Sequence, residues 1–313
     1  MTRYVLQRLL GMLTVMFTVV TIVFVIVRVA PGDPAAVMLG PDATAADVEA
    51  LRVRLGLDQP LPVQYLYFLA QLARGDLGHS IFLDMPVTSA LLERAEPTFF
   101  LTLFAILIAS AIALPVGILS AYRRGSFFDQ SITTLTMLAA SIPSFWLGLI
   151  LIQLFAVRLG WFPVAGYGGP DASFLTRIGH LVLPATALGI VSSALIARFT
   201  RASMLDVLSD DYVRTARSKG MGELRVVMKH AFKNALIPVL TVIGLTAALL
   251  VSGAVVTETV FSLPGVGNLV VSAVLRRDYP VIQGALLVIA AIYVLINFGI
   301  DMLYLMIDPR VRY

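Results

Sequence analysis

Six stretches of this chain contain no Asp, Glu, Lys or Arg and are long enough to cross a bilayer: 9–27, 97–122, 130–157, 178–197, 234–257 and 279–300. A hydrocarbon core about 30 Å thick takes about 20 helical residues to span. Backbone groups in lipid must hydrogen-bond within their own segment, so each stretch is expected to be a helix. Composition agrees, with 58% hydrophobic and 13% charged residues among 313, against about 25% charged in an ordinary globular domain. The expected fold class is all-α, a polytopic membrane protein with six transmembrane helices. Pro115, Pro143 and Pro184 fall inside spans and lack a backbone donor, so kinks are expected there.

Arg3 and Arg8 ahead of an apolar run give the N-terminus the look of a secretory leader. The run is longer than a leader's apolar region and no small-x-small site follows it, so it is read as an uncleaved first span. The formal net charge is +4, and its distribution matters more than its size. Arg3, Arg8, Arg123, Arg124, the cluster from Arg198 to Lys233, Arg310 and Arg312 fall on one side of a six-span arrangement. The acid-rich 31–96 loop, with Arg52, Arg54, Arg74 and Arg94, falls on the other. The positive-inside rule makes the first side cytoplasmic and places both termini there. The chain is thereby divided into a first transmembrane helix (1–30), a periplasmic loop (31–96), a core of the remaining spans (97–307) with a cytoplasmic loop at 203–235, and a cytoplasmic tail (308–313).

The 31–96 loop is expected to be structured. Thr44 with Asp47 forms a capping box ahead of Val48, Leu51 and Leu55, and Gly56 ends that helix. A second short helix over 62–74 has Tyr65, Leu66, Leu69 and Leu72 on one face and stops at Gly75. The uncharged segment 259–275 is interrupted by Pro264, Gly265, Gly267 and Asn268, too broken for a seventh span. It is read as a loop dipping into a protein-lined cavity.

Between the fourth and fifth spans lies SDDYVRTARSKGMGELRVVMKHAFKNALIP, residues 209–238. Ser209 or Asp210 caps a short helix that Gly220 ends, since a residue with a Cβ resists positive φ. A second helix is expected over 223–233, with Leu224, Val227, Met228, Ala231 and Phe232 at helical spacing and Arg225, Lys229 and Lys233 opposite. Glu223 at its start and Lys233 at its end suit the helix dipole. A bent, charged helix pair between two membrane-length segments cannot cross the bilayer and is shaped to be gripped from water. A basic loop on anionic lipid would explain the charge but not the Gly220 break. A DNA-reading helix-turn-helix would need a larger core than this loop holds, so nucleic acid is not an expected partner.

The chain has no cysteine and no phosphate loop of the form Gly-x-x-x-x-Gly-Lys-Ser/Thr. It also lacks His-Glu-x-x-His and Gly-x-Ser-x-Gly. His79, His180 and His230 lie far apart in sequence, whereas metal sites need clustered donors. No catalytic residue, cofactor or metal site is expected. Spans without charged residues disfavour the proton or sodium coupling of a secondary transporter.

The segments DYVRTARSKG and KHAFKNALIPV resemble the cytoplasmic loop of ATP-binding-cassette importer permeases, in particular the dipeptide, oligopeptide and glutathione group. The likeness continues in APGDP (30–34), LGLDQPLPVQY (55–65), GDLGHS (75–80), ARFTRASMLDVL (197–208), VFSLPGVGNL (260–269), RDYPVIQG (277–284) and DPRVRY (308–313), which look like that group's first permease subunit. The general permease loop begins Glu-Ala-Ala with Gly four residues after the second Ala. Arg214 and Thr215 replace the Glu and first Ala here, while Ala216 and Gly220 are retained.

The resemblance implies a type I importer permease fold in a bacterial inner membrane. It implies pairing with a second homologous permease and docking of two ATP-binding subunits that supply ATP and magnesium. A periplasmic or lipid-anchored binding protein would deliver peptide-class cargo, with glutathione, a nickel chelate or an oligosaccharide as alternatives. Gly220 would then make the coupling turn, Ala216 would let a partner surface approach, and Arg214, Arg217 and Lys219 would meet acidic partner groups. Ser141, Pro143, Gln153, Ser252, Thr257 and Asn297 are polar or helix-breaking positions in spans, and polar span residues usually face a bundle interior. They are weaker candidates for the translocation path. Glu258, Phe261, Pro264, Gly265 and Gly267 are weaker candidates for a surface facing cargo or the binding protein. Asp301 either meets water or pairs with an Arg. Gly244, Ala247, Ala248, Gly253 and Ala254 favour close helix contact and suggest that the fifth span lines a dimer centre.

Overall fold

The computed structural model describes residues 2–29, 34–40, 43–54, 56–80 and 82–307. Most of APGDP, Leu55 and the 308–313 tail, with Arg310 and Arg312, lie outside them. The helices are α1 (Thr2–Val29), α2 (Pro34–Leu39), α3 (Ala45–Arg54), α4 (Leu61–Ala73), α5 (Val87–Tyr122), α6 (Phe127–Ser141), α7 (Ser144–Leu151), α8 (Phe174–Leu208), α9 (Asp211–Ser218), α10 (Glu223–Arg225), α11 (Lys233–Val260), α12 (Val266–Arg276) and α13 (Tyr279–Ile307). Wider π-helical turns extend α7 over Ile152–Arg158 and join α10 to α11 over Val226–Phe232. A two-residue hairpin, β1 (His79–Ser80) with β2 (Met85–Pro86), precedes α5.

Five helices are long and apolar enough to span a membrane, and the α6–α7 pair makes a sixth if counted as one span. That pair occupies the expected third span, and the kink expected at Pro143 is a 95° break. Ile142 (φ −83°, ψ 125°) and Pro143 (φ −63°, ψ 132°) are both extended, because the residue before a proline is driven out of the helical region. The helices run on through Pro115 and Pro184.

Contacts divide the chain into two units. One unit comprises Pro97–Pro264 and residues 295–307. Its core gathers Leu101 and Ala105 of α5, Leu181, Leu183, Ala185 and Leu188 of α8, Leu250 and Ala254 of α11, and Phe261 and Leu263 after it. Small residues set helix spacing. A Cβ on Gly117 would lie 2.8 Å from the Ala197 carbonyl oxygen, and one on Gly244 would collide with the Ile300 side chain. Gly244 is thus used for contact with α13 of the same chain.

The other unit comprises Thr2–Glu96 with Gly265–Val294. The Thr44–Asp47 capping box forms as expected, with each backbone N–H donating to the other side chain at 3.2 Å. Gly56 and Gly75 take φ of +67° and +75° after α3 and α4. α4 lies along the end of α1, with the Tyr65 hydroxyl 2.7 Å from Thr21 Oγ1 and the Phe24 ring between Tyr65 and Phe68. Leu66 is off that face, 65% exposed. Two resembling stretches meet here. Ser80 of GDLGHS donates to the buried Asp278 carboxylate of RDYPVIQG, Gly78 faces Pro280, and a Cβ on Gly284 would strike Val87. Segment 259–275 is a turn that buries Phe261 and Leu263, followed by α12, which corrects the expected loop. Once Pro264 and Gly265 are passed, its apolar residues suffice for a short helix packed on α5 and α13.

Candidate functional site

The 209–238 segment builds a compact knuckle. Asp210 is the N-cap of α9, but its side chain makes no cap bond. It ends where Gly220 takes φ +74°, and the Gly220 and Met221 N–H groups return to the Arg217 and Ala216 carbonyls at 2.9 and 3.4 Å. The turn expected at Gly220 is present. The second short helix expected over 223–233 is instead the beginning of a much longer one. From Glu223 the chain forms one continuous helix to Val260, its first turns joined to the span by the π-helical stretch. That wider turn changes the expected stripe. Val226, Val227, Ala231 and Ala235 are buried, whereas Leu224 and Met228 are 79% and 45% exposed. A 3.6-residue period cannot describe a helix that widens midway.

Under the turn, Val213 and Ala216 of α9 pack against Val226, with Val207, Leu208 and Met221 around them. Ala216 is therefore a core residue of the knuckle. Arg217 Nε and Nη2 donate to both oxygens of Glu223, the closest at 2.8 Å. Those hydrogen bonds hold the guanidinium above its ordinary pKa, and the pair straps one side of the turn to the other. Arg214 is 72% exposed and 3.5 Å from Asp211, and Lys219 is also exposed. A contact that sequence spacing did not suggest ties α9 down. Asn234 Nδ2 donates to the Tyr212 hydroxyl at 2.7 Å. The outward face thus carries Asp211, Arg214, Thr215, Ser218 and Lys219.

The weaker candidates scatter. Ser141, Pro143, Gln153 and Ser252 are exposed, Asn297 is half-buried, and Thr257 is buried with its hydroxyl unpaired. Ser141 bonds only the Met137 carbonyl of its own helix. Of the expected cargo-facing set, Glu258, Phe261, Gly265 and Gly267 are buried and Pro264 is exposed. Glu258 accepts from the Thr98 hydroxyl at 2.6 Å. Phe261 closes on Gly148, where a Cβ would lie 2.9 Å from its ring.

Sequence reasoning missed one polar cluster. Asp129, 3% exposed, accepts from Ser120 Oγ, the Gly125 N–H, and Arg201 Nε and Nη2 at 2.7 and 2.8 Å. An acid just ahead of one apolar stretch and a base just past another were the only signals. Among the described residues no group of three or more His, Cys, Asp or Glu is placed to hold a metal.

The family models of two transport components match this chain. "Binding-protein-dependent transport system inner membrane component" covers residues 113–313, and the N-terminal component model of the same systems covers 1–96. A probable peptide ABC transporter permease of Sinorhizobium fredii is 44% identical, over 99% of both chains. The di/tripeptide transport system permease DppB of Pseudomonas aeruginosa is 42% identical over 100% of this chain and 99% of its own length. The glutathione transport system permease GsiC of Pectobacterium atrosepticum is 44% identical over 100% of both. A chain of the MetNI methionine ABC transporter, solved in an inward-facing conformation, shares the fold at TM-score 0.59 and 19% identity, over 70% of this chain and 96% of its own. The knuckle, the spans and these matches define a membrane permease of ATP-binding-cassette importers. The chain belongs to the binding-protein-dependent transport system inner membrane component family, a family of multi-pass inner-membrane proteins.

Proposed function

We propose that this chain is the first permease of a peptide importer and that the α9 knuckle couples it to ATP hydrolysis in a partner. The observation that carries this reading is the exposed, strapped helix turn seated between two membrane-length helices. A segment of this kind transmits force because its turn is rigid: Gly220 sets the backbone, the Val213–Ala216–Val226 core fills it, and Arg217–Glu223 closes it. Its continuity with α11 passes any displacement directly into a span. Arg214 and Lys219 face outward to meet acidic groups of an ATP-binding subunit. Full-length similarity to permeases named for peptides supports peptide cargo, with glutathione as the second reading. The assembly proposed is this permease, a second homologous permease, two ATP-binding subunits that hold ATP and magnesium, and a periplasmic or lipid-anchored binding protein.

The test is ATP-driven uptake of labelled di- and tripeptides by the reconstituted assembly. Gly220→Val is expected to lower uptake at least tenfold with membrane insertion unchanged, because a β-branched residue at φ +74° is a genuine outlier. Normal uptake by that variant would remove the coupling assignment. Uptake of glutathione but no peptide would transfer the cargo to the second reading.

A further inference from the structure

A cavity of about 290 Å³ opens beside the Asp129–Arg201 pair, lined by Gly117 and Ser120 of α5, Ile132, Thr133, Thr136 and Met137 of α6, and Ala197, Arg198 and Arg201 of α8. Its hydrogen-bonding inventory is one-sided. Arg201 spends Nε and Nη2 on Asp129, which leaves Nη1 for the cavity. Arg198 has no hydrogen bond or ion pair among the described residues, and Thr133 Oγ1 has no bonding partner among them either. Asp129 is already saturated by four donors, so its charge cancels that of Arg201 and leaves Arg198 as the net positive group. The site offers unspent donors and one net positive charge.

Depth narrows the occupant. The cavity sits where α5 gives way to Arg123 and Arg124 and where α8 passes from uncharged residues to Arg198 and Arg201. These charges mark the level at which hydrocarbon meets headgroups. The remaining walls, Gly117, Ile132, Met137 and Ala197, are apolar. A ligand here is anionic at one end and greasy at the other. Basic pockets between spans at this level suit phosphate-bearing lipid headgroups. We infer that the cavity is a binding site for one monoanionic phospholipid, its phosphodiester held by Arg198, Arg201 Nη1 and Thr133, in the leaflet at the basic end of the bundle.

The test uses the complete transporter complex in nanodiscs of phosphatidylcholine with graded phosphatidylglycerol. Co-purified lipid is counted after detergent exchange. The wild type is expected to retain phosphatidylglycerol, with apparent affinity falling roughly fivefold in Arg198→Gln, about the contribution of one basic residue. Thr133→Val, which conserves shape, is expected to weaken retention less. Ser209→Ala, outside the cavity, is expected to change nothing. Unaltered retention in Arg198→Gln, or no retention in the wild type, would overturn the site. Displacement by millimolar inorganic phosphate at constant lipid would overturn the lipid as its source. Labelling of Thr133→Cys that is blocked by the second permease regardless of lipid would assign the cavity to a protein interface instead. Uptake is measured separately, so failure of this site leaves the coupling reading standing.

Discussion

The α6–α7 junction and the α10–α11 junction invert each other. Around Pro143 an unbroken apolar stretch folds back by 95°. Around Val226–Phe232 a stretch flanked by Glu223, Arg225 and Lys233 continues without a break inside a 38-residue helix. Hydropathy alone resolves neither junction, because it reports what a segment can touch and not whether its backbone bonds continue. At Pro143 two consecutive residues are extended and a donor is missing. The fold exploits that break, since α7 turns inward until Gly148 meets the Phe261 ring. At the other junction the helix continues unbroken, and a widened turn absorbs the mismatch between two buried faces.

The sharpest way to break this contrast is Gly148→Leu. A side chain there drives into a fully buried ring, and overpacking of this kind costs about 1–3 kcal/mol. A large drop in the Tm of the detergent-solubilised chain is expected, and an unchanged Tm would mean that α7 does not rely on that contact. Next, Pro143→Ala restores a backbone donor. Spin labels at the exposed Leu135 and Leu149 are expected to move apart and their distance distribution to broaden toward a straight helix. A distribution that stays short and narrow would mean that packing, not proline, makes the bend. Deleting Lys229, an exposed residue of the π-helical stretch, is expected to restore ordinary α-helical spacing with modest loss of stability, whereas deleting Ile142 removes a hinge residue and costs far more. Similar losses in the two deletions would erase the distinction. The smallest effect belongs to Glu223→Gln. The pair is over a third exposed on both sides, so it is worth about 0–1 kcal/mol. Its loss should show as a lower ratio of transport to ATP hydrolysis rather than as a lower Tm.

Much of the fold was legible because lipid leaves few choices. Uncharged runs of span length, a capping box at Thr44–Asp47 and glycines at 56, 75 and 220 all specify local geometry without help from distant residues. The exceptions required such help. The buried place of Ala216 depends on Val226 across the turn, and the burial of Phe261 depends on Gly148 more than a hundred positions earlier. Periodicity also assumes a fixed number of residues per turn, which fails at both π-helical stretches. The Asp129–Arg201 pair was invisible because two charges at the edges of separate apolar stretches look like ordinary span ends.

The bond between Ser80 and Asp278 has a consequence for how the chain is made. Its first partner leaves the ribosome about 200 residues before its second. The hairpin and the start of α5 must therefore wait without that partner while the intervening helices are made. Only the arrival of α12 and α13 completes that half of the protein. A chain stalled before Asp278 should expose the GDLGHS segment to proteases that the finished permease resists.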